Sequence, residues 1–254
     1  MASAMRGYCG PLKISLVKMS KFLAFDTSDN NISLAISDDG DILVEFNWQT
    51  RQNHSVELMP AICHALSMIG ISIEQIEAVF VARGPGSYTG LRVGLSVAKG
   101  LSWGLKRPVV SASTLELLAY PHSFYSFPVF SLMDAGHGEM AGAIYQRQKD
   151  LLVPLMEETL LGIDDIIEKI TEKMVICGVL KSDDIHALYS AKGDNIVMPL
   201  ANMAQRRAAF LAGLCLPRLK RGDVENIATL EPFYLRLPPI TKPKRYTYLL
   251  RKED

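Results

Sequence analysis

The sequence predicts a two-lobed α/β protein in which a β-β-β-α-β-α unit with mixed strand directions occurs twice. Three observations lead there. Two short apolar runs, Phe22–Asp26 and Val129–Asp134, each end in an aspartate and each open one half of the chain. Each run is followed by two further strand-like segments, a helical segment, another apolar strand and another helical segment. The composition, 48% apolar and 21% charged over 254 residues, can fill the core such a unit needs.

In chain order, Phe22–Asp26 reads as a buried strand and Asp26-Thr27-Ser28 as the polar turn that ends it. Ile32–Ile36 and Ile42–Phe46 alternate as strands, with the hairpin signal Asp38-Asp39-Gly40-Asp41 between them. A helix is predicted over about 56–69, then a strand at Ala78–Ala82, and the run Gly84-Pro-Gly-Ser-Tyr-Thr-Gly90 leads into a helix ending near Leu105. Pro108–Val110 re-enters the sheet, and Ser113 is positioned to cap a helix starting at Thr114. The second half predicts strands at 129–133, 142–145 and 151–155, a helix at 164–173, a strand at 174–178 and a helix at 201–216. The expected lobes are 22–120 and a reduced 121–237. Residues 1–21 carry Arg6, Lys13, Lys18 and Lys21 with no acid, and read as a disordered extension or as a start assigned upstream of Met19. Residues 238–254 form a basic, proline-containing tail.

Several function classes lose ground on composition. Lys+Arg and Asp+Glu both number 27, so no overall field draws the chain to nucleic acid or membrane. Cys9, Cys63, Cys177 and Cys215 form no CxxC pair, which suits a reducing, cytoplasmic setting. The five histidines form neither HxxxH nor HExxH, so no helix-borne metal site is expected.

The glycine run leaves two readings open. Gly84, Gly86 and Gly90 allow backbone shapes closed to other residues, and Ser87 or Thr89 can cap the next helix, whose N-terminus suits a phosphate. The alternative is a tight connection that only aims the helix. No Lys-Ser/Thr follows Gly90, and Pro85 stands where a Gly-x-Ser-x-Gly elbow needs glycine, so neither a Walker loop nor a hydrolase elbow is present. Asp26-Thr27-Ser28 and Asp134-Ala135-Gly136 end the first strand of each half, and read either as phosphate or metal contacts or as ordinary turns.

The helix after the glycine run carries only Arg92, Lys99 and Lys106 as charges. Gly90, Gly94 and Ala98 recur at steps of four, as do Ser96, Gly100 and Gly104, so close neighbours are expected on two stripes. In the preceding helix Leu58, Ile62, Ala65 and Ile69 share one face, and Met59, Cys63 and Leu66 widen it. Surplus apolar surface on this helix pair suggests self- or partner-association, with core packing as the competing reading.

The runs Phe22-Leu-Ala-Phe-Asp-Thr-Ser28, His54-Ser-Val-Glu-Leu-Met-Pro60, Gly84-Pro-Gly-Ser-Tyr-Thr-Gly-Leu-Arg-Val-Gly94, Ala98-Lys-Gly-Leu101, Ser113-Thr-Leu-Glu116, Asp134-Ala-Gly-His-Gly-Glu139 and Pro232-Phe-Tyr-Leu-Arg236 resemble the TsaB (YeaZ) family. The resemblance is densest in the first 140 residues, thins over 151–230 and returns at Pro232. It implies an actin-like/Hsp70-like (ASKHA) fold. It also implies a non-catalytic role in N6-threonylcarbamoylation of adenosine 37 in ANN-decoding tRNAs, beside a catalytic TsaD-type subunit and a TsaE-type ATPase. A homodimer is expected when the chain is alone, with tRNA met only through the complex and no membrane contact. The implied partner surface takes in His54, Leu58, Met59, Ile62, Ala65 and Leu66 from the first helix. From the second it takes Leu91, Gly94, Leu95, Ala98, Leu101 and Ser102. The implied phosphate-contact turns are Asp26-Thr27-Ser28 and Asp134-Ala135-Gly136, and the glycine-run reading adds Gly84, Gly86 and Ser87 as candidate contacts. No cofactor of the chain's own is expected, and any ATP or ADP belongs at the interface with partners. The competing reading, from another class, is a self-sufficient ASKHA phosphotransferase or ATPase.

Overall fold

The structure is a computed structural model that describes residues 20–236, apart from 52, 150, 201, 202 and 204. The expected N-terminal extension, save for Ser20 and Lys21, and the expected tail at 238–254 lie outside the described residues. The first half runs β1 (Lys21–Asp26), β2 (Asn31–Asp38), β3 (Asp41–Gln49), α1 (His54–Met68), β4 (Ile76–Ala82), α2 (Tyr88–Leu105), β5 (Val109–Ala112) and α3 (Thr114–Ala119). The second runs β6 (Val129–Gly136), β7 (Glu139–Gln148), β8 (Leu151–Leu161), α4 (Ile163–Lys169), β9 (Met174–Gly178), α5 (Ser182–Lys192), β10 (Ile196–Val197) and α6 (Ala208–Lys220).

The second half therefore holds one helix and one strand, α5 and β10, that the sequence does not predict, and each half completes a β-β-β-α-β-α-β-α unit. Both sheets share one topology. The first has order β3-β2-β1-β4-β5 and the second β8-β7-β6-β9-β10. In each, the opening strand pairs antiparallel with the second and parallel with the fourth. Strand alternation sends Leu23 and Phe25 to the core under α1 and α2, and Phe22 and Ala24 to the opposite face under α6. The last helix of each half crosses over: α3 packs on the second sheet, α6 on the first, and the two touch between the sheets. This duplicated, helix-exchanged pair of mixed sheets is the two-lobed actin-like/Hsp70-like arrangement.

Two helix boundaries and one whole helix differ from expectation. α4 stops at Lys169, because Ile170 leaves helical geometry and buries completely. The helix expected at 201–216 spans 208–220, continuing through Pro217. Helix α5 was not expected from the pattern, since Leu188 is its only buried side chain and leaves no apolar stripe to read. Among the described residues, no helix is long and apolar enough to cross a membrane.

Candidate functional site

A cleft of about 660 Å³ opens between the lobes where the turn after β1, the glycine loop before α2 and the end of β6 converge. Of the phosphate-contact residues expected from sequence, Ser28, Gly86, Ser87 and Asp134 line it. Asp26 and Thr27 lie behind the surface, fully buried. Thr27 Oγ1 donates to the Gly90 carbonyl (2.8 Å), and Asp26 Oδ1 accepts from Ser28 N–H (2.8 Å). Gly84 also faces away from the cleft. It sits at φ +115°, where an L side chain is strained, and a Cβ there would collide with the Phe233 carbonyl.

The glycine loop and the first turn are built into each other. Ser87 N–H donates to the Ser28 carbonyl (2.7 Å), and the Ser87 hydroxyl caps α2 by accepting from Gly90 N–H (3.3 Å). A Cβ at Gly86, Gly90 or Gly94 would strike Ser28 or Thr27. So the first small-residue stripe, Gly90-Gly94-Ala98, admits the chain's own β1 turn. The second stripe is different: nothing lies within 4 Å of where a Cβ would stand at Gly100 or Gly104.

Asp26 is held from its other side by Arg206. The guanidinium gives Nε to Asp26 Oδ2 (2.9 Å) and Nη2 to Asp29 Oδ2 (3.1 Å). Across the cleft, Lys181 pairs with Asp134 at 3.3 Å, and Gly136 N–H donates to the same carboxylate. That amide bond and Lys181 hold the Asp134 carboxyl below its ordinary range. Arg236 pairs with Glu139 at the rim. The three cationic side chains lining the cleft, Lys181, Arg206 and Arg236, thus each face a carboxylate already. A phosphate chain or its divalent counter-ion entering the cleft would meet cations and carboxylates that are already paired.

Sequence reasoning missed Arg206, and a signal was there. Arg206-Arg207 stands directly before the apolar helix α6, where the helix dipole disfavours cations unless acids are near. The acids are Asp26 and Asp29 for Arg206, and Glu45 for Arg207.

Of the twelve residues expected at the partner surface, ten are buried within the chain itself. His54, Leu58, Ile62, Ala65 and Leu66 on α1 are buried in the chain's own core, as are Leu91, Gly94, Leu95, Ala98 and Ser102 on α2. His54 Nε2 bonds the Asp29 carbonyl (2.9 Å), and Ser102 Oγ donates to the Arg107 carbonyl (2.5 Å). Their apolar face is consumed by β1, β2 and β4. Leu101 is half-buried, and Met59 alone of the twelve is exposed. The opposite faces of the same helices carry Val56, Met59, Cys63 and Met68, and Arg92, Ser96, Gly100 and Trp103.

Comparison with known proteins agrees with this architecture. The family model described as TsaD, tRNA N6-adenosine threonylcarbamoyltransferase, matches residues 48–210. The tRNA threonylcarbamoyladenosine biosynthesis protein TsaB of Bacillus subtilis is 32% identical over 221 residues, spanning 85% of this chain and 93% of its own length. Its Escherichia coli namesake is 33% identical over 132 residues, 51% of this chain and 57% of its own. A Pseudomonas aeruginosa crystal structure, described as similar to peptidase YeaZ, superposes with TM-score 0.73 at 24% identity. It covers 86% of this chain and 100% of that one, which bears on the fold. With a full-length relative at that identity and the duplicated sheets in place, the chain belongs to the TsaB (YeaZ) family.

Proposed function

We propose that this chain serves tRNA N6-threonylcarbamoyladenosine biosynthesis as a non-catalytic cytoplasmic subunit that docks a TsaD-type transferase through the outer faces of α1 and α2. The names borne by the Bacillus subtilis and Escherichia coli relatives support the pathway. The match to the TsaD family model supports a partner of the same fold.

One observation carries the docking reading. Trp103 is 79% exposed beside the uncovered Gly100 and Gly104, and Val56, Met59 and Met68 are exposed on the neighbouring helix. A large aromatic beside backbone that another helix can approach closely is what a partner-binding face needs. Self-association in the absence of the transferase uses the same face, and a TsaE-type ATPase joins the assembled pair. A balanced net charge leaves tRNA recognition to the complex. Because this chain's cleft cations are already paired, ATP or ADP binds at contacts with partners, not in the isolated chain.

The test is reconstitution with the cognate TsaD- and TsaE-type proteins, reading modified adenosine in tRNA. Omitting this chain should abolish modification, and Trp103→Glu should do the same while the variant keeps its circular dichroism spectrum. Full modification without the chain would overturn the role, and full activity with Trp103→Glu would overturn the surface.

A further inference from the structure

After α6 the chain runs along the first lobe once more. Glu225 N–H donates to the Val109 carbonyl (2.8 Å), and Leu230 buries in the core under α1 and α2. Residues Pro232–Arg236 then pass from the first lobe to the second along the cleft, which Tyr234, Leu235 and Arg236 help to line.

The two ends of this strap are held differently. On the first lobe, Phe233 N–H donates to the Arg83 carbonyl (2.8 Å) just past β4, and the Arg83 guanidinium lies 5.9 Å from the Phe233 ring centroid. The missing Cβ of Gly84 leaves room for the Phe233 carbonyl. The Tyr234 ring lies 5.2 Å from that of Tyr88 at the start of α2. On the second lobe, half-buried Leu235 packs against the cluster of Val129, Ala141 and Ala143, and Arg236 pairs with Glu139 at the start of β7. The two side chains of that pair are 38% and 40% exposed, so water screens the pair and it holds weakly. The strap is firmly anchored at one end and lightly caught at the other.

The other paired groups of the cleft, among the described residues, stay within their own wall. Ser87 bonds Ser28 inside the first lobe, Arg206 pairs with Asp26 and Asp29 beside the first sheet, and Lys181 pairs with Asp134 inside the second lobe. Lobes that meet across a modest interface move relative to one another unless something fastens them.

We propose that Pro232–Arg236 is a latch on the cleft. Leu235 and the Arg236–Glu139 pair are its catch, and releasing them lets the lobes open about the chain crossings that lead through α3 and into α6.

The experiment measures the distance between two nitroxide labels by double electron–electron resonance in the full chain. The labels go on Asn53→Cys and Asp183→Cys, both at exposed positions, in a chain that also carries Cys9→Ser and Cys63→Ser. Asn53 precedes His54, which bonds the Asp29 carbonyl of the first wall, and Asp183 precedes Asp184 of the second. Labelled chain is diluted with unlabelled chain, so that spin pairs between copies drop out. Arg236→Glu, which sets two carboxylates against each other, is expected to shift the distance to longer values. Adding Glu139→Arg to it is expected to restore the native distance, an outcome that a merely unfolded strap would not give. Leu235→Ser is expected to lengthen the distance as well, and a shift from that variant alone still supports the latch, with its catch in the apolar contact. Unchanged distances in both single variants, with folding confirmed by circular dichroism, would overturn the proposal. A shift in Arg236→Glu that Glu139→Arg leaves in place would overturn it too. The distance is read without partner or tRNA, so the result is independent of the docking role.

Discussion

Arg206 Nε lies 2.9 Å from Asp26 Oδ2, with the two side chains 7% and 0% exposed. Both oxygens of Asp26 are thereby engaged, one by this guanidinium and one by the Ser28 amide. The aspartate that ends the opening strand works here as a buried counter-ion joining β1 to the approach of α6.

Removing one partner of a buried pair leaves an uncompensated charge, which costs about 3–5 kcal/mol. Arg206→Met should therefore lower stability by that order, read as a fall in the urea midpoint. The double variant Asp26→Asn, Arg206→Met should recover a large part of the loss, since neither charge then remains buried alone. Equal losses in single and double variants would show that the pair is not coupled.

The two small-residue stripes of α2 predict opposite outcomes for one kind of substitution. At Gly94 a new methyl would meet Thr27 Oγ1, so Gly94→Ala should destabilise the isolated chain. At Gly100 the space is open, and alanine's better helix propensity should add up to about 1 kcal/mol. If the outer face is the docking surface, Gly100→Ala should also weaken the complex with the transferase while stabilising the monomer. Thermal unfolding and analytical ultracentrifugation separate the two effects.

How far the sequence could be read follows from the same residues. The apolar run Phe22–Phe25, the alternation at Ile32–Ile36 and Ile42–Phe46, and the glycine run before α2 revealed the first lobe, because each is a strong local pattern. The identical strand order of the two sheets was hidden, since pairing joins segments distant in sequence. The cleft was half legible. Ser28, Gly86, Ser87 and Asp134 line it, while Asp26 and Thr27 proved structural and Arg206 came from a stretch with no periodicity. The helix pair was identified, but ten of the twelve residues expected on its partner face are buried within the chain itself. An apolar stripe marks the side a helix buries, and Leu58, Ile62 and Leu95 spend it on their own sheet. Only accessibility shows that Trp103 faces outward.

The two faces of the helix pair give a discriminating substitution set. Leu95 and Ile62 are 2% and 0% exposed, so Leu95→Glu or Ile62→Glu should unfold the chain by burying an unpaired charge. Met59→Glu and Trp103→Glu should leave the fold intact and abolish association with the transferase, seen as monomer in ultracentrifugation. Folded, associating Trp103→Glu would rule out this face.

The last prediction concerns pH. Glu158 on β8 accepts from Tyr145 Oη at 3.1 Å inside a polar pocket that also holds Arg83, Glu116 and Arg218. Burial pushes the Glu158 carboxyl above its ordinary value of 4.5, with Ser113, Tyr145 and Arg83 opposing and Glu116 adding to the rise. A carboxyl whose folded pKa exceeds its unfolded one holds its proton more tightly when folded. Its contribution to stability therefore weakens as pH climbs from about 4.5 through the raised value. Glu158→Gln removes that loss: the variant should match the native chain at the acid end and exceed it at neutral pH. Urea midpoints measured from pH 4 to 8 give the comparison, and parallel curves for the two proteins would show that Glu158 ionises without strain in the fold.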